Sequence, residues 1–156
     1  MTETLTPRLE TAEPFVVAGL SGRYTHTTAA AIPELWTSLD DCIDDIPNRV
    51  GDFTYGAAAN FHDDGFDYVA GVEVSSASGL PSRFRSIDIP AGNYAVFTHD
   101  GPIRQLPHTY ARIRNEWMPT SGFAVVGPEF ERYGTDSDGA KDSYTVEIWL
   151  PVEKSS

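Results

Sequence analysis

The chain of 156 residues carries 11 lysines and arginines against 23 aspartates and glutamates, a net charge of −12. A surface this acidic repels phosphates, so we expect no direct nucleic-acid partner. No segment approaches the roughly 20 apolar residues of a membrane span, and the first residues contain neither a basic nor an apolar signal region. The expected location is therefore the cytoplasm, with no membrane partner.

The first half predicts four elements in the order strand, helix, strand, strand. They are residues 9–24, 32–46, 53–62 and 66–75. The helix is indicated by apolar residues at helical spacing, with Pro33 in its first turn and Pro47 after its last. A turn at residues 63–65 joins the two later strands, and a polar loop at residues 76–82 ends this half.

The second half predicts the same order. Its elements are residues 84–99, 106–117, 123–133 and 144–152. A turn at residues 90–93 interrupts the first of them, and Pro107 fits the first turn of the helix. Pro119 together with Gly122 is expected to end that helix.

These patterns predict an α+β fold for a single domain, residues 1–156. The fold is expected to be a tandem repeat of strand–helix–strand–strand, with pseudo-repeats at about residues 7–78 and 82–153. One helix on one small sheet makes a marginal core, so the two halves should share an antiparallel sheet. Its two helices should flank a central groove, and the seam between similar halves favours a pocket.

Glu147 is the most unusual position because it lies within an apolar predicted strand. Alternation places Glu147 and Trp149 on one face and the aliphatic residues, Val146, Ile148 and Leu150, on the other. A solvated outer face explains such alternation in many antiparallel sheets. The alternative is a carboxylate at the floor of an aromatic cup, where a cationic partner would stabilise it. Alternation does not distinguish the two.

Aromatic residues are numerous on both predicted helices and on the strands. The candidates for the walls of a ligand site are Trp36, Tyr55, Tyr68, Phe97, Tyr110, Trp117, Tyr133 and Trp149. Core packing explains most aromatic residues in a domain of this size. Aromatic faces around a carboxylate would instead form a cage for an organic cation.

No metal or cofactor is expected. The chain has a single cysteine, Cys42, and four histidines that show no metal-ligand spacing. The glycine-containing segments do not match a phosphate-binding loop. Asp40, Asp41, Asp44 and Asp45 indicate a solvated helix face, because residues on a helix lack the loop geometry of a calcium site.

Several motifs occur in a characteristic order and spacing. They are PAGNYAVFTHDGP at 90–102, TY at 109–110, EWMP at 116–119, SGF at 121–123, GPEFERY at 127–133 and VEIWLPV at 146–152. This order closely resembles the GyrI-like small-molecule-binding family, which also forms the effector-binding part of AraC-type and MerR-type multidrug-sensing regulators. Residues 32–36 and 68–74 look similar too, so the resemblance covers about residues 7–153.

The resemblance implies a tandem fold with a pocket between the halves. It also implies a glutamate on the last strand that meets cationic or amphipathic drugs, and only Glu147 matches that strand motif. In the regulators this domain is fused to a DNA-binding helix-turn-helix. We expect no DNA-binding domain here, and therefore a stand-alone binding module.

Three functions follow as hypotheses. The first is a stand-alone protein that binds organic cations or amphipathic drugs, with Glu147 as the counter-charge. The second is a small hydrolase in which Glu147 acts as general base. The third is an interaction protein that modulates gyrase or acts on a separate regulator. The sequence also leaves a homodimer open.

Overall fold

The computed structural model describes residues 6–25, 27–28, 31–62, 65–102, 105–133 and 143–154. Within these ranges the strands are β1 (Arg8–Ala12), β2 (Phe15–Tyr24), β3 (Arg49–His62), β4 (Gly65–Val74), β5 (Arg85–Ile89), β6 (Gly92–Pro102), β7 (Phe123–Val125), β8 (Glu129–Tyr133) and β9 (Ser143–Lys154). The helices are α1 (Ile32–Asp40), α2 (Leu106–Arg112) and α3 (Met118–Ser121). A π-helical turn, Ile113–Trp117, joins α2 to α3, and a 3-10 turn, Ile43–Asp45, follows α1. None of the described helices is long and apolar enough to cross a bilayer.

The strands form one antiparallel sheet in the order β1-β6-β9-β8-β3-β4-β2-β5, and β7 pairs with the far end of β9. Each half of the chain contributes an edge strand to the other, because β1 pairs with β6 and β5 pairs with β2. The α+β class and the largely antiparallel sheet with two helical segments are thus confirmed. The tandem repeat stays a prediction.

The sheet is strongly curved, as its short connections require. Glu13 and Pro14 alone separate β1, at one edge, from β2, next to the other edge. In a flat sheet these strands would stand about 29 Å apart, whereas so short a link spans only about 10 Å. Pro90 and Ala91 make a similar link between β5 and β6. The sheet therefore curls until its two ends approach each other.

Both faces of the curved sheet are buried. On one face, called the helix face here, α1 packs on β2 and β4 and α2 packs on β6. The other face, called the opposite face, closes on itself around residues of both halves such as Val17, Tyr94 and Trp149. Strands β3 and β8 lie in the middle of the strand order, between the regions that the two helices cover.

Proline positions account for two of the differences from the predicted elements. The predicted strand at residues 9–24 is two strands, which separate at Glu13 and Pro14, where proline lacks an N–H donor. Pro119 lies in the first turn of α3 instead of ending a helix. The helix ends at Gly122, as predicted, in the left-handed conformation with φ of 76°.

Two further elements are shorter than predicted. Helix α1 ends at Asp40 and not at residue 46, and the chain continues through the 3-10 turn. The segment 123–133 is two strands that pair with different parts of β9. Two of the three residues of the predicted turn at 63–65 lie outside the described residues.

Candidate functional site

A buried carboxylate, Glu131, lies on the helix face at the centre of the sheet. On β8 it stands opposite Gly56 of β3 and Ile148 of β9, and it is 8% exposed. Its Oε1 accepts hydrogen bonds from the hydroxyls of Tyr68 at 3.2 Å and Tyr133 at 2.7 Å. Its Oε2 accepts one from Tyr110 at 2.7 Å. Three tyrosines from separate elements therefore converge on one carboxylate.

Side chains from both helices reach this carboxylate or its tyrosine partners. Helix α2 supplies Tyr110, and α1 supplies Trp36, whose indole Nε1 donates to the Tyr68 hydroxyl at 3.1 Å. The Trp36 ring also packs edge-on against Tyr133, with the ring centroids 5.0 Å apart. Glu131, Tyr68, Tyr110, Tyr133 and Trp36 are called the Glu131 cluster below. It connects both helices with the middle of the sheet.

Gly56 makes room for the cluster. A Cβ atom at this position would lie 2.0 Å from the Tyr68 hydroxyl oxygen and 3.1 Å from Glu131 Oε1. Tyr68 reaches Glu131 across β3, so only a residue without a side chain leaves its path open. The hydrogen bond between Tyr68 and Glu131 passes over this position, and it therefore explains why β3 has a glycine in its interior.

The electrostatics of Glu131 are set by burial. Burial raises the pKa of its carboxyl, and the hydrogen bonds from the three tyrosines oppose that rise. Burial also raises the pKa of each of these tyrosines, so they stay protonated donors at neutral pH. Among the residues that the structure describes, Glu131 forms no salt bridge.

His99 of β6 is buried next to α2. It is 6% exposed, and its Nδ1 lies 2.7 Å from the Thr109 hydroxyl of α2. Its charge makes a minor contribution that lowers the pKa of Glu131. His99 therefore connects β6 to α2 and adds a titratable group to the site.

A second carboxylate, Glu129, lies two residues from Glu131 and on the same face of β8. Burial raises the pKa of Glu129 to about 7, the nearby charge of Arg114 opposes the rise, and the like charge of Glu131 adds to it. Arg114 belongs to the π-helical turn, and its guanidinium lies 5.8 Å from the centroid of the Tyr110 ring. The site thus carries two carboxylates, both with raised pKa.

Phe97 and Trp117 extend the aromatic surface beneath α2. Their ring centroids are 5.0 Å apart in an edge-on contact, and Trp117 stacks on Phe123 at 6.3 Å. Phe97 of β6 stands opposite Ile148, which in turn stands opposite Glu131. Both residues therefore share the helix face with the Glu131 cluster.

Glu147 lies on the opposite face. Its Oε2 accepts a hydrogen bond from Arg8 at 2.7 Å, and its Oε1 accepts one from the Trp149 indole at 3.2 Å and forms an ion pair with Arg132. Burial disfavours its charge, but the hydrogen bonds from Arg8 and Trp149 and the charge of Arg132 outweigh it and lower its pKa. Glu147 is already neutralised within the chain.

The predicted set of ligand-binding residues is therefore divided between two faces. Trp36, Tyr68, Phe97, Tyr110, Trp117 and Tyr133 lie on the helix face, whereas Tyr55 and Trp149 lie with Glu147 on the opposite face. The expectation that Glu147 stands in one cup with the helix aromatics needs correction, because neighbouring strand residues point to opposite faces.

Two shallow cavities lie on the opposite face. One, of about 260 Å³, is lined among others by Tyr55, Arg132 and Trp149. The other, of about 400 Å³, is mainly apolar and is lined by Phe15, Ile89 and several prolines. Both lie beside the short links that close the curved sheet. In the described part of the chain, no group of three or more metal-binding side chains is found.

Sequence reasoning missed Glu131, Glu129 and Gly56. The signal that was present is the alternation in Glu129–Tyr133, which puts Glu129, Glu131 and Tyr133 on one face. Because its residues are polar, that face of β8 resembles one that is exposed to solvent. Only the helices that cover it make Glu131 a buried carboxylate.

Comparisons with known proteins agree on the type of domain. The family model described as the GyrI-like small molecule binding domain matches residues 5–153. The transcriptional regulator BrlR of Pseudomonas aeruginosa is 31% identical over 101 residues, which are 64% of this chain and 37% of the regulator. The match thus takes in little more than a third of that curated relative.

Solved structures share the fold. SAV2435 bound to tetraphenylphosphonium has a TM-score of 0.78 at 19% identity, covering 96% of this chain and 94% of that one. EcmrR in a complex with DNA has a TM-score of 0.68 at 16% identity, covering 96% of this chain and 58% of EcmrR. A hydrolase of Listeria innocua, encoded by lin2189, has a TM-score of 0.55 at 14% identity, with 95% and 92% covered. At these identities the likeness concerns the fold.

Proposed function

The chain belongs to the family of GyrI-like small molecule binding domains, and we propose that it binds aromatic organic cations with Glu131 as their counter-charge. The observation that carries the proposal is the state of Glu131, a buried carboxylate whose hydrogen-bond donors are three neutral tyrosine hydroxyls. A buried carboxylate is costly unless it is paired, and neutral donors compensate only part of that cost. A cation that reaches Glu131 removes the remainder.

The surroundings of Glu131 favour an aromatic cation over a small hydrated ion. Trp36, Tyr110 and Tyr133 are half-buried, so part of each side chain is accessible to a ligand. Each ring that meets a desolvated cation contributes about 0.5–2 kcal/mol. Because the tyrosine hydroxyls occupy both carboxylate oxygens, the ligand lies against the aromatic faces next to Glu131. Trp117 and Phe97 offer further apolar area under α2.

The ligand of a similar structure supports the same chemical class. SAV2435 is bound to tetraphenylphosphonium, a cation whose charge is enclosed by aromatic rings. Such a ligand needs aromatic contact area and a carboxylate that is not already neutralised. In this chain Glu131 meets the second requirement, whereas Glu147 already has two arginine partners.

Calorimetric titration with tetraphenylphosphonium tests the proposal. We expect Glu131→Gln, which keeps the shape and removes the charge, to weaken binding by roughly 2–5 kcal/mol, because a buried charge pair is lost. The matched control is Glu147→Gln, which makes the same substitution on the opposite face. We expect it to change the affinity less than about twofold, since its charge is screened by Arg8 and Arg132.

Two outcomes would contradict this assignment. Loss of binding in Glu147→Gln alone would return the counter-charge to the last strand, as the sequence predicted. Unchanged binding in both variants would show that neither carboxylate recognises the cation. Far-ultraviolet circular dichroism of each variant checks that the sheet is retained.

A small hydrolase is the second candidate, and the raised pKa of Glu131 favours it. A carboxylate whose pKa is raised is a better proton acceptor, and Tyr110 could orient a substrate beside it. Glu147 does not suit this role, because its pKa is lowered. Turnover of an epoxide or a reactive aldehyde that disappears in Glu131→Gln and persists in Glu147→Gln would support this candidate.

A further inference from the structure

We propose that Glu129 is a second recognition point for positive charge, so that the site prefers aromatic dications to aromatic monocations of the same shape. The inference rests on the proposed function of Glu131 and adds to it the class of ligand. It starts from a geometric fact, that Glu129 and Glu131 are two residues apart on one strand and face the same side.

The spacing of the two carboxylates sets the spacing of the charges. Residues i and i+2 of a strand lie about 7 Å apart on the same face. Glu131 is buried at the base of the site, and Glu129, on the same face, is less buried. A rigid ligand with two cationic centres at a similar separation can therefore meet both carboxylates at once, while a monocation meets one.

Arg114 holds the place of the second cation in the unbound protein. Its charge acts on Glu129, and its guanidinium stacks over the Tyr110 ring at 5.8 Å. Arg114 is exposed and belongs to the π-helical turn, so its side chain can move into solvent without disturbing the core. A cationic group of the ligand would take over both roles, the positive charge that acts on Glu129 and the position over the Tyr110 ring.

The charged and titratable groups around Glu129 favour the replacement of Arg114 by a cationic group of the ligand. Glu131 adds a like charge from the same strand, Arg114 opposes it from the π-helical turn, and Tyr110 of α2 is a neutral donor. Above the pKa of Glu129, about 7, two carboxylates facing one arginine leave an excess of negative charge. A dication balances that excess more completely than a monocation does.

A pair of matched probes tests the inference. Methyl viologen is a flat aromatic dication whose two ring nitrogens are separated by about the spacing of the carboxylates, and N-methyl-4-phenylpyridinium has nearly the same shape with one charge. We would titrate both by calorimetry into the wild type, Glu129→Gln and Glu131→Gln. We expect Glu129→Gln to weaken methyl viologen about tenfold and the monocation less than twofold. Glu131→Gln should weaken both.

A second variant tests the same interaction by changing Arg114 instead of Glu129. Arg114→Gln removes the competing cation from an exposed position, and we expect it to tighten methyl viologen about threefold and the monocation by a smaller factor. Equal effects of Glu129→Gln on the two probes, or no preference of the wild type for the dication, would overturn the inference and leave the proposed function intact. If neither probe binds the wild type, both are contradicted.

Discussion

Glu131 and Glu147 lie on neighbouring strands one register position apart, since Arg132 stands opposite Glu147 and Glu131 opposite Ile148. They nevertheless face different sides of the sheet. On the helix face Glu131 meets three neutral hydroxyls, and burial raises its pKa. On the opposite face Glu147 meets two arginines, which help to lower its pKa.

The difference lies in the partners that the chain gives to each carboxylate, and it is the basis of the proposed cation site at Glu131. Both side chains are substantially shielded from water, so burial alone does not separate them. What separates them is whether the chain supplies its own cation. Glu147 forms ion pairs with Arg8 of β1 and Arg132 of β8 and so connects these strands with β9. Glu131 keeps a charge that an external cation could balance.

The largest effect on stability is expected from Gly56→Ala. The added Cβ would lie 2.0 Å from the Tyr68 hydroxyl, so the Tyr68–Glu131 hydrogen bond must break or the strands must shift. We expect a loss of about 3 kcal/mol in the free energy of unfolding and weaker cation binding, with the Glu147 network unaffected. Chemical denaturation and a tetraphenylphosphonium titration measure the two effects.

The control for Gly56→Ala removes the Tyr68 hydroxyl, which the added Cβ would approach most closely. In a Tyr68→Phe background the hydroxyl is absent and the closest ring atom, Cζ, would lie 2.8 Å from the added Cβ, so the alanine should cost less than in the wild type. An equal cost in both backgrounds would mean that Gly56 matters for the strand itself and not for the Glu131 cluster.

An intermediate effect is expected from the pH dependence of the free energy of unfolding, which has opposite signs for Glu129 and Glu147. The pKa of Glu129 is raised from 4.5 to about 7, so its charged form opposes folding at high pH, and this cost disappears as the pH falls. Glu129→Gln should therefore stabilise the protein by about 2 kcal/mol at about pH 8 and lose that advantage near pH 4.5. Denaturation curves over this range test it, and a constant difference between the proteins would contradict it.

The smallest effect is expected from Glu147→Gln. The pKa of Glu147 is lowered, so its charge stabilises the folded state at neutral pH, and this contribution is lost as the pH falls below 4.5 and through its folded pKa. We expect a loss of about 1 kcal/mol at neutral pH, because the Arg8 side chain is 45% exposed and the pair is partly screened. Acid denaturation of the two proteins should converge at low pH. Divergence there would show that Glu147 is not held by its arginines.

The local pattern of the sequence was sufficient for much of the fold. Helical spacing identified α1, α2 and the π-helical turn that follows α2, and it put Trp36, Tyr110 and Trp117 on their packed sides, as the structure confirms. Alternation correctly separated Val146, Ile148 and Leu150 from Glu147 and Trp149. Both signals depend only on the period of the backbone, so they survive without knowledge of the tertiary structure.

The same pattern did not predict that the buried carboxylate with three tyrosine donors would be Glu131, on the helix face. Alternation usually separates a buried face from a wet one, but the curved sheet buries both, since Ile148 is 0% and Trp149 is 8% exposed. The curvature comes from links between distant strands, and the partners of each glutamate come from elements far away in the chain. The amino-acid sequence alone set the alternation of side chains along each strand. Whether Glu131 or Glu147 would be paired with an arginine was decided only when those elements came together.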